Sequence, residues 1–215
     1  MMIFRAESDY WRFLKNLRYF NDEYSPKNIF RELDLIIKSG LCSHFEWPRG
    51  WPTHKPLVKI LAYCLIPNHF HLMLKEIIKG GVTEFMRKIG TGFTNYTNIK
   101  YEETGRIFQG SYKSRTVERL EYLQYLDAYI QVFNPFELYR GGIEQSLKEF
   151  EKAFDFALEY PFCSLGESFG KRRLCIIERD ILQDMFPSLK IYKEFAYDAL
   201  LVRNIREILG RLTID

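Results

Sequence analysis

Tyr63-Cys64-Leu65-Ile66-Pro67-Asn68-His69-Phe70-His71-Leu72-Met73-Leu74 is the stretch whose reading decides the fold. Two apolar runs flank Pro67-Asn68. Proline followed by asparagine ends one strand and opens a tight turn, so residues 57–65 and 69–75 read as antiparallel strands of one hairpin. Successive side chains of a strand alternate faces, so His69 and His71 point the same way and Phe70 points into the opposite layer. Two neutral imidazoles converging from one strand can hold a divalent metal. The same spacing also suits two histidines on a solvated sheet face, and the pair alone does not separate these readings.

Outward from the hairpin, helical spacing of Tyr10, Phe13, Leu14 and Leu17 predicts a helix over residues 7–20. A second helix follows, with Ser25 as N-cap, Pro26 in the first position and Gly40 just past its end. Thr83 caps a helix running to about Lys100, weakened in the middle by Gly90 and Gly92, which mark either a kink or a close backbone approach. Residues 106–117 read as a strand or hairpin. Arg119 to Phe133 reads as a helix stopped near Asn134-Pro135. After Gly141-Gly142, the clearest linker, come helical patterns near 143–159, 177–185 and 190–208 that carry no catalytic motif. The pattern predicts an α+β fold, a small antiparallel sheet with helices on one face. It divides at the linker into residues 1–140 and a helical extension over 141–215.

Composition narrows the possible partners. The chain has 215 residues, 47% of them hydrophobic, enough to bury a core and to exclude general disorder. A net charge of +3 does not by itself point to a polyanionic partner. Between positions 86 and 115, however, Arg87, Lys88, Lys100, Arg106, Lys113 and Arg115 face only Glu102 and Glu103. Cys42, Cys64, Cys163 and Cys175 show no CxxC spacing and read as reduced thiols of a cytoplasmic protein. No apolar run reaches the roughly 20 residues a membrane span needs. His44 and His54 fall in a loop rich in Trp and Pro, where packing is the simpler role.

The central stretch resembles the histidine–hydrophobe–histidine (HUH) motif of single-tyrosine, IS200-like transposases. More closely, it resembles the REP-associated tyrosine transposases of bacteria, whose motif reads like "CLMPNHFHLLL". Further matching pieces follow in order: Phe85 to Tyr96, Gly105 to Ser114, Glu121-Tyr122-Leu123, Tyr129-Ile130 and Asn134-Pro135. Tyr160 to Leu165 matches more loosely. The resemblance implies a ferredoxin-like palm with the histidines on a central strand. Relatives open with a strand resembling "YHVYNRG" ahead of the segment matched by Ile3-Phe4, so by this comparison the first strand is missing.

The resemblance also implies a chemistry. A tyrosine attacks a DNA phosphate and forms a 5′-phosphotyrosine, while a divalent cation, Mg²⁺ or Mn²⁺, bound at His69 and His71 polarises the phosphate. Tyr122, Tyr125 and Tyr129 share one helix face at about 100° per residue. The family pattern "RYIHLNPV" aligns Tyr129 with the nucleophile. In relatives a polar residue four positions later completes the metal site; here that position is Phe133, and Asn134 is the fifth. A regular helix would put Asn134 about 140° away from Tyr129. A one-residue π-bulge would restore it, and without one the third ligand is missing or comes from elsewhere. Gln131 faces nearly the opposite side.

Arg106, Gln109, Tyr112, Lys113 and Arg115 on the predicted strand, with Arg87, Lys88 and Tyr96 on the preceding helix, are the candidate DNA contacts. The expected partner is single-stranded DNA with a hairpin, bound by a monomer or by a homodimer that exchanges its tyrosine helix. Two alternatives remain: a domesticated relative that binds such hairpins without cutting, and an unrelated HxH metalloenzyme. Cupins need a many-stranded jelly roll, and two-histidine phosphoesterases need a second HxT/S motif that neither His44 nor His54 supplies.

Overall fold

In the computed structural model, which describes residues 2–24, 28–40 and 44–212 (204–212 as backbone), the Pro67-Asn68 turn joins β1 (Val58–Ile66) to β2 (His69–Glu76). The strands pair antiparallel, with Ile66 opposite His69, Cys64 opposite His71 and Tyr63 opposite Leu72. A bulge between Ile60 and Ala62 sets which face each β1 residue occupies. An extra residue flips the alternation that follows it. Val58 and Ile60 before the bulge therefore share a core with Tyr63 and Leu65 after it, while Ala62, Cys64 and Ile66 face the other way.

Each face is covered. On the Phe70 side lie α1 (Glu7–Tyr19) and α3 (Gly81–Tyr101), which bury Phe13, Leu14, Leu17, Phe85, Ile89 and Phe93 against Tyr63 and Leu65. On the histidine side lies a helix of three parts: α4 (Leu120–Ala128), a π-helical turn (Tyr129–Phe133) and α5 (Asn134–Leu138). Ile130, Val132, Phe133 and Phe136 from this helix join Cys64 and Ile66 in the second core. The α+β class holds, but the expectation of helices on one face is corrected to helices on both. β1 is apolar at nearly every position, the pattern of a strand buried on both sides.

Three local expectations also change. Residues 106–117 form no strand; only Ile107 is buried and only Phe108 packs inward, against Phe70 and Phe93. Two adjacent anchors followed by an exposed run lack the alternation that a half-buried strand requires. Among the described residues β2 therefore has one strand neighbour, β1, instead of lying in the middle of a sheet. Nor does Pro135 stop the helix. Proline donates no N–H, but the Gln131 carbonyl that its N–H would have met in an α-helix accepts from Cys163 Sγ at 3.3 Å, and the neighbouring Ile130 carbonyl accepts from Asn134 Nδ2 at 3.4 Å. Finally, α3 begins at Gly81, ahead of Thr83, after Gly80 with a positive φ of 80°.

The second helix is α2 (Ile29–Lys38), closed by Gly40 at φ +75°. Its expected caps, Ser25 and Pro26, lie outside the described residues, as does Cys42. His54 stacks on Trp47 with centroids 4.4 Å apart, and its Nε2 lies 2.8 Å from the Asn21 carbonyl; the His44 carbonyl accepts from Tyr19 Oη. Both histidines thus hold the loop.

Beyond Gly141 come α6 (Gly142–Lys148), α7 (Phe150–Glu159), α8 (Leu165–Ser168), α9 (Ile181–Met185) and α10 (Leu189–Leu212). Their Phe154, Leu165, Leu182, Tyr192 and Leu200 share the core with Cys64 and Ile130. Residues 162–164 run along the outer edge of β1, with Leu65 N–H bonded to the Phe162 carbonyl and Ser164 N–H to the Tyr63 carbonyl. Among the described residues no helix is long and apolar enough to cross a membrane.

Candidate active site

Alternation along β2 sends His69 and His71 to the face opposite Phe70, and there they meet the π-turn. The two imidazoles stand perpendicular with centroids 4.9 Å apart, and the Tyr129 ring lies 5.4 Å from that of His71 at a similarly steep angle. His69 Nδ1 donates to Asn68 Oδ1 at 2.9 Å, which fixes the proton on Nδ1 and leaves the Nε2 lone pair free. His71 Nε2 is buried and has no hydrogen-bond partner among the described residues. Burial, reinforced by His69, lowers the His71 pKa to about 4, so the ring is neutral at ordinary pH. A neutral imidazole with an uncommitted buried nitrogen suits a metal ligand.

The π-turn sets the rest of the site. Asn134 N–H bonds to the Tyr129 carbonyl, five residues back, so Asn134 follows Tyr129 one wide turn later. Its side-chain Nδ2 donates to the same carbonyl at 2.9 Å, and its Oδ1 is buried with no hydrogen-bond partner among the described residues. The Asn134 amide oxygen is a donor of the kind that Mg²⁺ or Mn²⁺ takes, and the His71 imidazole nitrogen is a common ligand of first-row divalent metals. No three His, Cys, Asp or Glu side chains gather as a metal site among the described residues. Tyr129 itself is held in its phenol form. Burial raises its pKa, with Glu137 and Tyr125 in the same sense and the Arg203 guanidinium opposing them.

The structure separates the candidate DNA contacts into two groups. Arg106, Gln109, Tyr112, Lys113 and Arg115 lie on the exposed segment leading into α4. Arg115 stacks over Tyr122, 5.1 Å from the ring centroid, on the helix that carries Tyr129. Arg87, Lys88 and Tyr96 lie instead on α3, in the layer behind the sheet. Each is engaged there: Arg87 pairs with Glu84, Lys88 donates to the Asp22 carbonyl, and Tyr96 Oη donates to Asp9.

Sequence reading missed Arg203, whose guanidinium also sits 5.7 Å from the Phe133 ring centroid. No local pattern marks it; only folding brings α10 to this helix. It also missed the polar cluster behind the π-turn, where Gln131 meets Asp127, Ser164 and Ser168.

Comparison with known proteins matches residues 53–132 to the family described as transposase IS200 like. The chain is also similar to a probable tRNA pseudouridine synthase D from Sulfurisphaera tokodaii, 30% identical over 126 residues, 52% of this chain and 34% of that protein. The chain thus spans about a third of that relative's length. No solved structure matches. The matched segment contains the whole hairpin, both histidines and Tyr129, and over it this chain is similar to the IS200-like transposase family.

Proposed function

We propose that this chain is a single-strand DNA transposase or nickase in which Tyr129 is the nucleophile and His69, His71 and Asn134 form a cation site. The observation that carries the reading is the Tyr129 ring packed against His71, whose buried Nε2 has no partner among the described residues. A bound Mg²⁺ or Mn²⁺ would polarise the scissile phosphate and offset charge on the attacking oxygen.

The chain's own groups do the remainder. His71, kept neutral by burial, offers its lone pair without first losing a proton. Tyr129 Oη attacks phosphorus, its proton passes to solvent, and the P–O3′ bond breaks to leave a free 3′-hydroxyl. The new 5′-phosphotyrosine retains the bond energy, so a later 3′-hydroxyl can reverse the step without ATP. Arg106, Gln109, Tyr112, Lys113 and Arg115 hold the strand by neutralising phosphates and stacking on unpaired bases. Because Tyr129 meets the histidines of its own chain, cleavage proceeds in cis, with a hairpin-forming single strand as the preferred substrate.

A second reading, hairpin binding without cleavage, is favoured by the single strand neighbour of β2 among the described residues. Incubating the protein with single-stranded hairpin oligonucleotides and Mn²⁺, followed by denaturing electrophoresis, separates the two. A covalent adduct abolished by Tyr129→Phe and by chelation supports cleavage. Tight binding with no adduct supports the second reading.

A further inference from the structure

We propose that Gln131 is a positioning residue that locks the π-turn and so holds Tyr129 and Asn134 in register with His71; this rests on Tyr129 being the nucleophile. Ala128, Ile130, Gln131, Val132 and Phe133 are all compatible with a regular α-helix. Pro135 crowds the Gln131 carbonyl of an α-helix and favours widening, but it does not hold the turn in one register, and that hold has a cause outside the turn's own sequence.

That cause lies behind the helix. Gln131 is 1% exposed, and its amide is engaged at both ends: Nε2 donates to Asp127 Oδ1 at 2.8 Å, while Oε1 accepts from Ser164 Oγ at 2.7 Å and Ser168 Oγ at 2.9 Å. Its own carbonyl accepts from Cys163 Sγ at 3.3 Å, satisfying a group whose α-helical partner would be the N–H that Pro135 lacks. Ser164 in turn accepts from Tyr63 N–H at 3.0 Å and donates its own N–H to the Tyr63 carbonyl. Tyr63 precedes Cys64, the β1 residue paired with His71.

One amide therefore bolts the helix of Tyr129 to the strand that positions His71. Reversion to an α-helical register would turn Asn134 about 100° further round from Tyr129 per residue of slip. It would also deprive Ser164, Ser168 and Asp127 of the Gln131 amide.

The donor–acceptor direction of the Asp127–Gln131 contact supplies the test. Gln131→Glu sets two acids against each other, whereas Gln131→Glu with Asp127→Asn reverses the bond and preserves both serine contacts. Two quantities are measured on the full chain. One is amide exchange at Phe133 and Asn134. The other is the adduct rate at saturating hairpin DNA with Mn²⁺, recorded with the half-saturating DNA concentration.

Gln131→Glu should speed the exchange and lower the saturated adduct rate by about a hundredfold, the scale of an ångström-sized misplacement, while half-saturation barely moves. The double variant should recover both. An unchanged saturated rate, a parallel loss of DNA affinity, or no recovery of amide protection in the double variant overturns the proposal. Absence of any adduct from the wild-type chain would instead overturn Tyr129 as nucleophile, and amide exchange alone would then decide whether Gln131 locks the turn.

Discussion

The backbone N–H of Asn134 is bonded to the carbonyl of Tyr129, five residues back instead of the four of an α-helix. Relative to an i, i+4 spacing the chain carries one residue too many between them, which in an α-helix would rotate the asparagine off the tyrosine's face by about 100°. The π-turn absorbs that residue. Tyr129 then packs on the two histidines of β2, with Asn134 one wide turn beyond the tyrosine.

This arrangement predicts the result of mixing inactive partners. Tyr129→Phe and His71→Ala should each abolish the DNA adduct while leaving DNA binding intact. If Tyr129 works on the cation site of its own chain, mixing the two variants should restore no adduct, because neither chain holds both groups. In an exchanged dimer, up to about a quarter of the dimer sites would carry both intact groups, on the usual statistics of closed two-fold pairs. Adduct formation in the mixture would reject the cis arrangement.

Exposure predicts which basic residues grip the strand. Arg106→Ala, Lys113→Ala and Arg115→Ala remove charges from the exposed approach to α4. Each should weaken single-strand binding and flatten its dependence on log salt by about 0.7 for every phosphate left without its cation. Arg87→Ala and Lys88→Ala should leave the slope nearly unchanged, since both lie on α3 behind the sheet and are already engaged with Glu84 and Asp22. Equal slopes across the five variants would contradict this division.

The hairpin and its face assignment were legible in the sequence because proline, asparagine and strict alternation act locally. The need for a wider turn between Tyr129 and Asn134 was legible too, as a mismatch of phase. Its support was not: Gln131 meets Ser164 and Ser168 only after the chain has returned along β1. Arg203 is invisible for the same reason, since α10 reaches Phe133 through tertiary packing. Residues 106–117 misled because Ile107-Phe108 among polar residues resembles a strand, yet two anchors pin a loop equally well. The helices on both faces could be inferred only from the continuous apolar run of β1, which also fits a strand with one covered face.

The two glycines of α3 make a stability prediction with opposite signs. A Cβ on Gly90 would meet nothing within 4 Å, so Gly90→Ala should stabilise the fold by about 0.5–1 kcal/mol through helix propensity. A Cβ on Gly92 would collide with the Phe20 ring, which packs edge-on against Phe30. Gly92→Ala must displace that ring, and overpacking of about 1–3 kcal/mol outweighs the propensity gain. Denaturant midpoints moving in the same direction for both variants would refute this reading of Gly92 as a close approach.

Asp127 predicts a pH dependence of stability. Burial pushes its pKa from 3.8 up to about 7, against the lowering influence of Tyr192, Gln131 and Arg179. As pH rises from about 4, the unfolded chain releases this proton while the folded chain keeps it until about 7, so the contribution destabilises progressively across that window. His71, lowered from 6.5 to about 4 by burial, acts in the opposite sense: as pH falls through 6.5 the unfolded chain takes up a proton that the folded chain resists, and stability is lost. The wild-type profile contains both effects, and Asp127→Asn removes only the first. The amide retains an acceptor for Gln131 Nε2, so the melting temperature of Asp127→Asn relative to wild type should climb between pH 4 and 7, gaining about 2 °C or more by the upper end. A difference that stays flat with pH would mean that Asp127 is ionised in the folded chain throughout, and that Gln131 is held by a carboxylate instead of a carboxyl.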